Sequence, residues 1–335
     1  MIAKLAGLRC AAFAAATIAL SGAAHAQAVT MKIATATIND TQHEWMKRFQ
    51  KRMQAKAADK ITVQLFPSSQ LGDIGRMIEG MQLGTIESFV GPSAFFVGVD
   101  PRNQVTWAPG LFDDIDHCWR TVMDDRFRSY WFPIMDKVGI GTISIFCTGV
   151  QAFLTKKEIK KLDDLKGLKI RVLASELEIK PMQALGVAPT PMNFAEVMPA
   201  LQTNAIDGVS SIPILFNAMK MHSVAKNVTV TGLFKSSVPV YVSKMWWDKL
   251  PADLKTMILD ESRKVEQELI TWNDAANKAT FDLWKQNGGT VGELPADDQA
   301  KLIQIATPVA AAVLDSKPGV KEAYQKTLEV AAATR

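Results

Sequence analysis

The stretch 254–285 constrains this chain more than any other, because it carries an unbroken helical pattern of polar and apolar residues without a single proline. Pro251-Ala252-Asp253 opens it. A helix of about 30 residues extends roughly 45 Å at 1.5 Å per residue, longer than one lobe needs. The chain has 335 residues, beyond the size at which one hydrophobic core keeps growing, so two lobes are expected. Strands and helices alternate along it. A strand at 30–36 precedes a helix at 43–57 that places Trp45, Met46, Phe49 and Met53 at helical spacing, and a strand at 61–66 precedes a helix at 75–83. Segment 88–97 reads as a strand and a cleft-facing loop. This rhythm predicts an α/β fold with parallel sheets, whose ligands collect beyond the carboxyl ends of the strands.

Further strands are expected at 139–146, ended by Thr148-Gly149, then at 169–172, around Gly208, at 228–231 and at 238–243. A helix is expected at 195–203, with Asn193 and Glu196 spaced as a capping box. The N-terminus carries a compartment signal. Lys4 and Arg9 precede an apolar run from Cys10 to Leu20, and Ala24-His25-Ala26 then offers the small residues of a signal-peptidase site. Residues 1–26 therefore read as a cleaved secretory signal peptide, and the mature chain as periplasmic. The apolar run is too short to span a bilayer, which takes about 20 residues, and no later segment qualifies.

Hydrophobic residues make up 48% and charged residues 21%, the balance of a globular protein. Removing Lys4 and Arg9, with no acid among residues 1–26, lowers the formal charge from +4 to +2. Nucleic acid is not an expected partner: the lysines of 156–166 are interleaved with acids as on a solvated face. The mature chain keeps Cys118 and Cys147 with no CxxC, and His43, His117 and His222 are scattered, so neither a metal site nor a cofactor is expected. A Cys118–Cys147 disulfide and two free buried thiols are equally compatible with the sequence.

Arg171 is the first candidate for binding chemistry. In GLKIRV (167–172) apolar and basic residues alternate as in a half-buried strand, after a Lys166-Gly167 turn. A guanidinium at the end of such a strand holds a carboxylate through two parallel charge-assisted hydrogen bonds, which a lysine cannot reproduce. A surface arginine on an edge strand fits the same spacing.

Four landmarks run in order along the mature chain: FPSSQLGD (66–73), DDLKGLKIRV (163–172), LGVAPTPMNFAEVMPALQTNAIDG (185–208) and VSKMWWDKLPADLK (242–255). Together they resemble the solute-binding subunits of TRAP transporters, the DctP-type family. The resemblance implies a two-lobed periplasmic solute-binding protein fold with a long helix spanning both lobes, closing on a small organic acid and delivering it to TRAP membrane permease subunits. It places lobe I at 27–148 and 238–270, lobe II at 149–237 and 286–335, and the inter-lobe helix at 254–285. Arg171 then matches the carboxylate-binding arginine, Phe194 an aromatic that packs on the solute, and Asp73 a first-lobe polar position used on distal hydroxyls. Trp107 lies near a family segment that lines the cleft.

Two departures bear on the ligand. Many members read Asn-Gly-x-Arg where this chain has Thr148-Gly149-Val150-Gln151, and Asp-Gly-Gln-Glu-Asn-Pro where it has Asp207-Gly208-Val209-Ser210-Ser211-Ile212. Gln151 thus replaces a second arginine, Ser211 an asparagine and Val209 a polar residue. One guanidinium plus neutral donors such as Thr148 would receive the carboxylate, each neutral hydrogen bond contributing about 0.5–1.5 kcal/mol against about 1.5–3 for a charged one. With Phe95, Phe96, Trp107, Phe146 and Phe194 expected near the cleft, a monocarboxylate with an apolar or aromatic body is the expected solute. Two other classes stay open: the ligand-binding component of a periplasmic sensor, and an enzyme acting on small acids. The enzyme would need a nucleophile with its base, a carboxylate pair or a metal cluster, and no such motif stands out.

Overall fold

The computed structural model describes residues 28–317 and 319–335, so the expected signal peptide and its cleavage site lie outside the described residues. The first lobe opens with β1 (Val29–Ala34), α1 (Thr41–Ala57), β2 (Ile61–Phe66), α2 (Ile74–Gln82) and β3 (Ser88–Val90). Next come α3 (Ile115–Met123), α4 (Asp125–Trp131) and β4 (Ile140–Thr155), which leads into the second lobe. That lobe holds β5 (Lys169–Val172), α5 (Glu176–Ala184), β6 (Ala188–Pro191), α6 (Val197–Gln202), β7 (Gly208–Ser211) and α7 (Pro213–Ala218). β8 (Asn227–Ser243) returns, followed by α8 (Lys244–Trp247) and α9 (Ala252–Gln286). β9 (Thr290–Glu293), α10 (Ala296–Asp315) and α11 (Val320–Ala333) complete the chain.

The local signals act as expected in the first lobe. Asp40 caps α1 by accepting from the His43 N–H, and the stripe Trp45, Met46, Phe49 and Met53 is fully buried in the core. Each such burial contributes about 1.5–3 kcal/mol. The sheet is where the expectation needs correcting. Its strands run in the order β2-β1-β3-β8-β4-β7-β5-β6, with β9 beside β8. The outer pairs are parallel, but β3–β8, β8–β4 and β4–β7 are antiparallel. The reason is that β4 and β8 run from lobe to lobe in opposite directions and pair along almost their whole length. For the same reason Thr148-Gly149 does not end a strand, and 228–231 and 238–243 belong to one strand. The ladder instead shifts register between Cys147 and Gly149 and between Val150 and Ala152, at the crossing. Gly149 allows α9 to approach: a Cβ there would lie 3.2 Å from Asn277 Oδ1.

The long helix has 35 residues and fastens to both lobes. On the first, Glu266 receives Ser144 and Arg128, and Asn273 Oδ1 accepts from the Thr41 hydroxyl. At the crossing Asn277 Nδ2 donates to the Thr148 carbonyl. On the second, the Thr280 carbonyl accepts from Asn217, and Trp284 Nε1 donates to the Lys226 carbonyl. The two C-terminal helices pack on different elements. Helix α10 packs on α5, whereas α11 packs on α3, α4 and the turn Pro101–Trp107 of the first lobe. Val320, Ala323 and Ala331 join the first-lobe core, and His117 Nε2 lies 2.7 Å from the Ala331 carbonyl. The helix expected at 195–203 is a 3-10 turn, Phe194–Glu196, followed by α6, and Asn193 makes no side-chain cap bond.

Cys118 of α3 and Cys147 of β4 form a disulfide across a sequence separation of 29, joining the helix to the strand just before the crossing. A crosslink closing a loop of that length stabilises by about 3–4 kcal/mol in the chain-entropy model. Replacing both cysteines by alanine should lower the unfolding free energy in urea by about that amount. A loss below about 1 kcal/mol would show that the bond adds little to the packing of α3 on β4.

Candidate functional site

Between the lobes lies a cavity whose empty space, counted out through its open mouth into solvent, is about 660 Å³. Arg171 sits one residue from the end of β5, which runs between β6 and β7 with Arg171 opposite Thr190 and Val209. Gly208 is what lets β7 close up on β4: a Cβ there would lie 2.4 Å from the Leu154 carbonyl oxygen. The Arg171 side chain is 1% exposed. Its Nε and Nη2 both donate to the Met192 carbonyl at 3.3 Å, while Nη1 has no hydrogen-bond partner among the described residues. The guanidinium carbon is 5.4 Å from the centroid of the Phe194 ring. Burial pushes its pKa down to about 10, opposed by the nearby Glu178, so the group stays charged at neutral pH.

Opposite charge enters through Glu178, on the first turns of α5. It is buried, and its Oε1 accepts from the Ser210 hydroxyl at 2.6 Å while Oε2 accepts from the Leu173 N–H at 3.0 Å. Burial raises its pKa, and these hydrogen bonds and the Arg171 charge pull it back. The indole N–H of Trp107 is near enough to share in that effect but closes no well-aligned bond, and is left without a partner. Gln151 extends the network: its Nε2 donates to Ser210 Oγ at 3.1 Å and its Oε1 accepts from the Thr231 hydroxyl.

Of the residues expected to form the site, Arg171, Gln151, Phe194, Ser211, Thr148 and Trp107 come together in the cavity wall. Thr148 Oγ1 donates to the Ser236 carbonyl at 3.3 Å, and Ser211 makes no side-chain hydrogen bond among the described residues. Trp107 stacks on Phe234, ring centroids 5.9 Å apart, and Phe95 joins the wall. Two expected residues lie elsewhere. Val209 is fully buried in the core with Leu201, Ile206 and Phe216, because successive strand residues face opposite sides and Ser210 takes the inner one. Asp73 is exposed and caps α2, its Oδ1 accepting from the Arg76 N–H at 2.9 Å. The turn before it, with Ser68, Ser69 and Gly72 at positive φ, carries it there. Phe96 and Phe146 are likewise core, against Tyr241 and Trp45.

Several wall residues escaped the sequence reading, Thr37, Gln42, Glu178, Ser210 and Phe234 among them. Thr37 and Gln42 follow β1, and both donate to the buried Asp40, Thr37 Oγ1 at 2.6 Å and Gln42 Nε2 at 3.2 Å. Their position beyond the carboxyl end of a strand was a usable signal. Glu178 was masked: Ser175-x-x-Glu178 has capping-box spacing, yet its carboxylate turns to Leu173 and the cavity.

Residues 34–317 match the family of bacterial extracellular solute-binding proteins, family 7, also called DctP. The chain belongs to that family. It is 28% identical over 255 residues to the sialic acid-binding periplasmic protein SiaP of Vibrio cholerae, covering 75% of this chain and 78% of that one. It is 26% identical over 296 residues to the C4-dicarboxylate-binding periplasmic protein DctP of Rhodobacter capsulatus, covering 88% and 89%. A TRAP periplasmic solute-binding protein from Desulfovibrio salexigens, solved with bound orotic acid, superposes with a TM-score of 0.86 at 25% identity, covering 91% of this chain and 99% of that one. Among the described residues no helix is long and apolar enough to cross a membrane.

Proposed function

We propose that this chain is a periplasmic receptor that captures an organic monoacid with an apolar or aromatic body through Arg171 and hands it to a TRAP-type permease. The observation that carries the reading is the buried Arg171 guanidinium, with one nitrogen unpartnered, in a cavity walled by Phe95, Trp107, Phe194 and Phe234. Arg171 and Glu178 are the only charged residues of that wall among the described residues. A second ligand carboxylate would therefore be desolvated without a cation to receive it, at high cost. The named relatives bind acids, and orotic acid, held by the similar structure, is a ring-bearing monocarboxylate.

A thermal-shift screen of organic acids tests the ligand class, since a solute at 100 times its Kd adds about 2.7 kcal/mol of apparent stability. Aromatic and branched monoacids should bind about tenfold or more tightly than succinate or sialic-type sugar acids, a difference of about 1.4 kcal/mol or more. A C4 dicarboxylate or polyhydroxylated acid that outranks every such monoacid would overturn the apolar reading.

A further inference from the structure

Glu178 is a buried carboxyl group that capture of a simple anion leaves without a role. Among the described residues its carboxylate forms no salt bridge; it accepts from the Ser210 hydroxyl and the Leu173 N–H, with the unpartnered Trp107 indole N–H close by. The hydrogen bonds behind it all run one way. The Thr231 hydroxyl donates to Gln151, Gln151 to Ser210, and Ser210 to Glu178, so each link turns a donor toward the carboxylate. Such an arrangement holds Glu178 as an oriented acceptor at the cavity wall. Once a solute carboxylate occupies Arg171 and the cavity is dry, two carboxylates would face one guanidinium. A buried anion without its own partner is destabilising, and a proton donor or cation on the solute removes that defect. The rest of the wall is rich in aromatic residues, Phe95, Trp107, Phe194 and Phe234, a residue type that attracts positive charge.

We propose that the solute is zwitterionic, its carboxylate on Arg171 and a protonated nitrogen on Glu178, between aromatic walls. This rests on the reading that Arg171 receives a carboxylate, and names Glu178 as the residue that selects among acids. The Ser210–Gln151–Thr231 chain of hydrogen bonds orients it.

Matched acids that differ in the nitrogen test it: pipecolate against cyclohexanecarboxylate, and phenylalanine against 3-phenylpropionate. Each is titrated calorimetrically into the full mature chain and its Glu178→Gln and Arg171→Ala variants, in two buffers of different ionisation enthalpy. The zwitterion of at least one pair should bind about tenfold or more tightly than its partner, without net proton uptake. Glu178→Gln should erase that difference, and Arg171→Ala should abolish binding of both members. Three results would overturn the zwitterion assignment while leaving Arg171 as the carboxylate receptor. They are equal or tighter binding of the nitrogen-free acid, a preference that survives in Glu178→Gln, and proton uptake that disappears in Glu178→Gln. Binding of an acid that persists in Arg171→Ala would overturn both, and so would the failure of all four probes to bind.

Discussion

Arg171→Ala is expected to abolish measurable binding of organic acids, a loss of about a thousandfold or more, equivalent to about 4 kcal/mol. Two effects add. A carboxylate loses charge-assisted hydrogen bonds of about 1.5–3 kcal/mol each, and it must then enter a wall whose remaining charged residue is Glu178. The fold should persist, because the only side-chain hydrogen bonds Arg171 makes among the described residues go to the Met192 carbonyl, and its backbone pairing in β5 is kept. Arg171→Lys should recover part of the affinity, since an ammonium restores the charge without the planar pair of donors. Calorimetry with any acid that binds the unaltered chain decides the matter. Near-normal affinity in the alanine variant, with an unchanged unfolding midpoint, would remove Arg171 from the site.

Glu266→Ala is the substitution expected to cost most in stability, about 3–5 kcal/mol. Glu266 is fully buried on α9, where it fastens the long helix to the first lobe. Its Oε1 accepts from the Ser144 hydroxyl at 2.6 Å and the Ile145 N–H at 3.1 Å, and Arg128 clasps the carboxylate at 3.0 and 3.3 Å. Alanine leaves the mostly buried Arg128, the Ser144 hydroxyl and the Ile145 N–H without their acceptor. Arg128 already has a pKa lowered by burial, and Glu266 is the charge that opposes that shift. Glu266→Gln should cost less, because it keeps the shape and one acceptor. Adding Arg128→Met to Glu266→Ala should recover part of the loss by removing the orphaned cation. Urea unfolding of the set checks this. A change below about 1 kcal/mol for Glu266→Ala would show that α9 is held by its apolar face instead.

Much of the candidate site was legible in the chain because its signals are local. GLKIRV announces a short strand ending near an arginine, and the structure sets β5 at Lys169–Val172 with Arg171 buried in the cavity. The aromatics were legible only in part. Composition near a cleft cannot tell a wall from a core, and Phe95, Phe194 and Trp107 face the cavity while Phe96 and Phe146 pack behind it. Asp73 illustrates the same limit, since a carboxylate two residues before Gly75 is as good a helix cap as a ligand, and capping is what it does.

What the sequence determined by itself is what depends on neighbours along the chain: the helical stripe of α1, the proline-free run of α9 and the strand around Arg171. Tertiary structure decided what depends on distant partners. Continuous β4 and β8 exist because each supplies the other's hydrogen bonds across the crossing. The Cys118–Cys147 bond forms because α3 docks on β4. Glu178 became part of the cavity wall through Trp107, Gln151, Arg171, Ser210 and Thr231, residues from five separate stretches of chain. No period or motif encodes such a group. A buried charge is placed by whichever donors surround it in three dimensions, and those are set only once both lobes have packed.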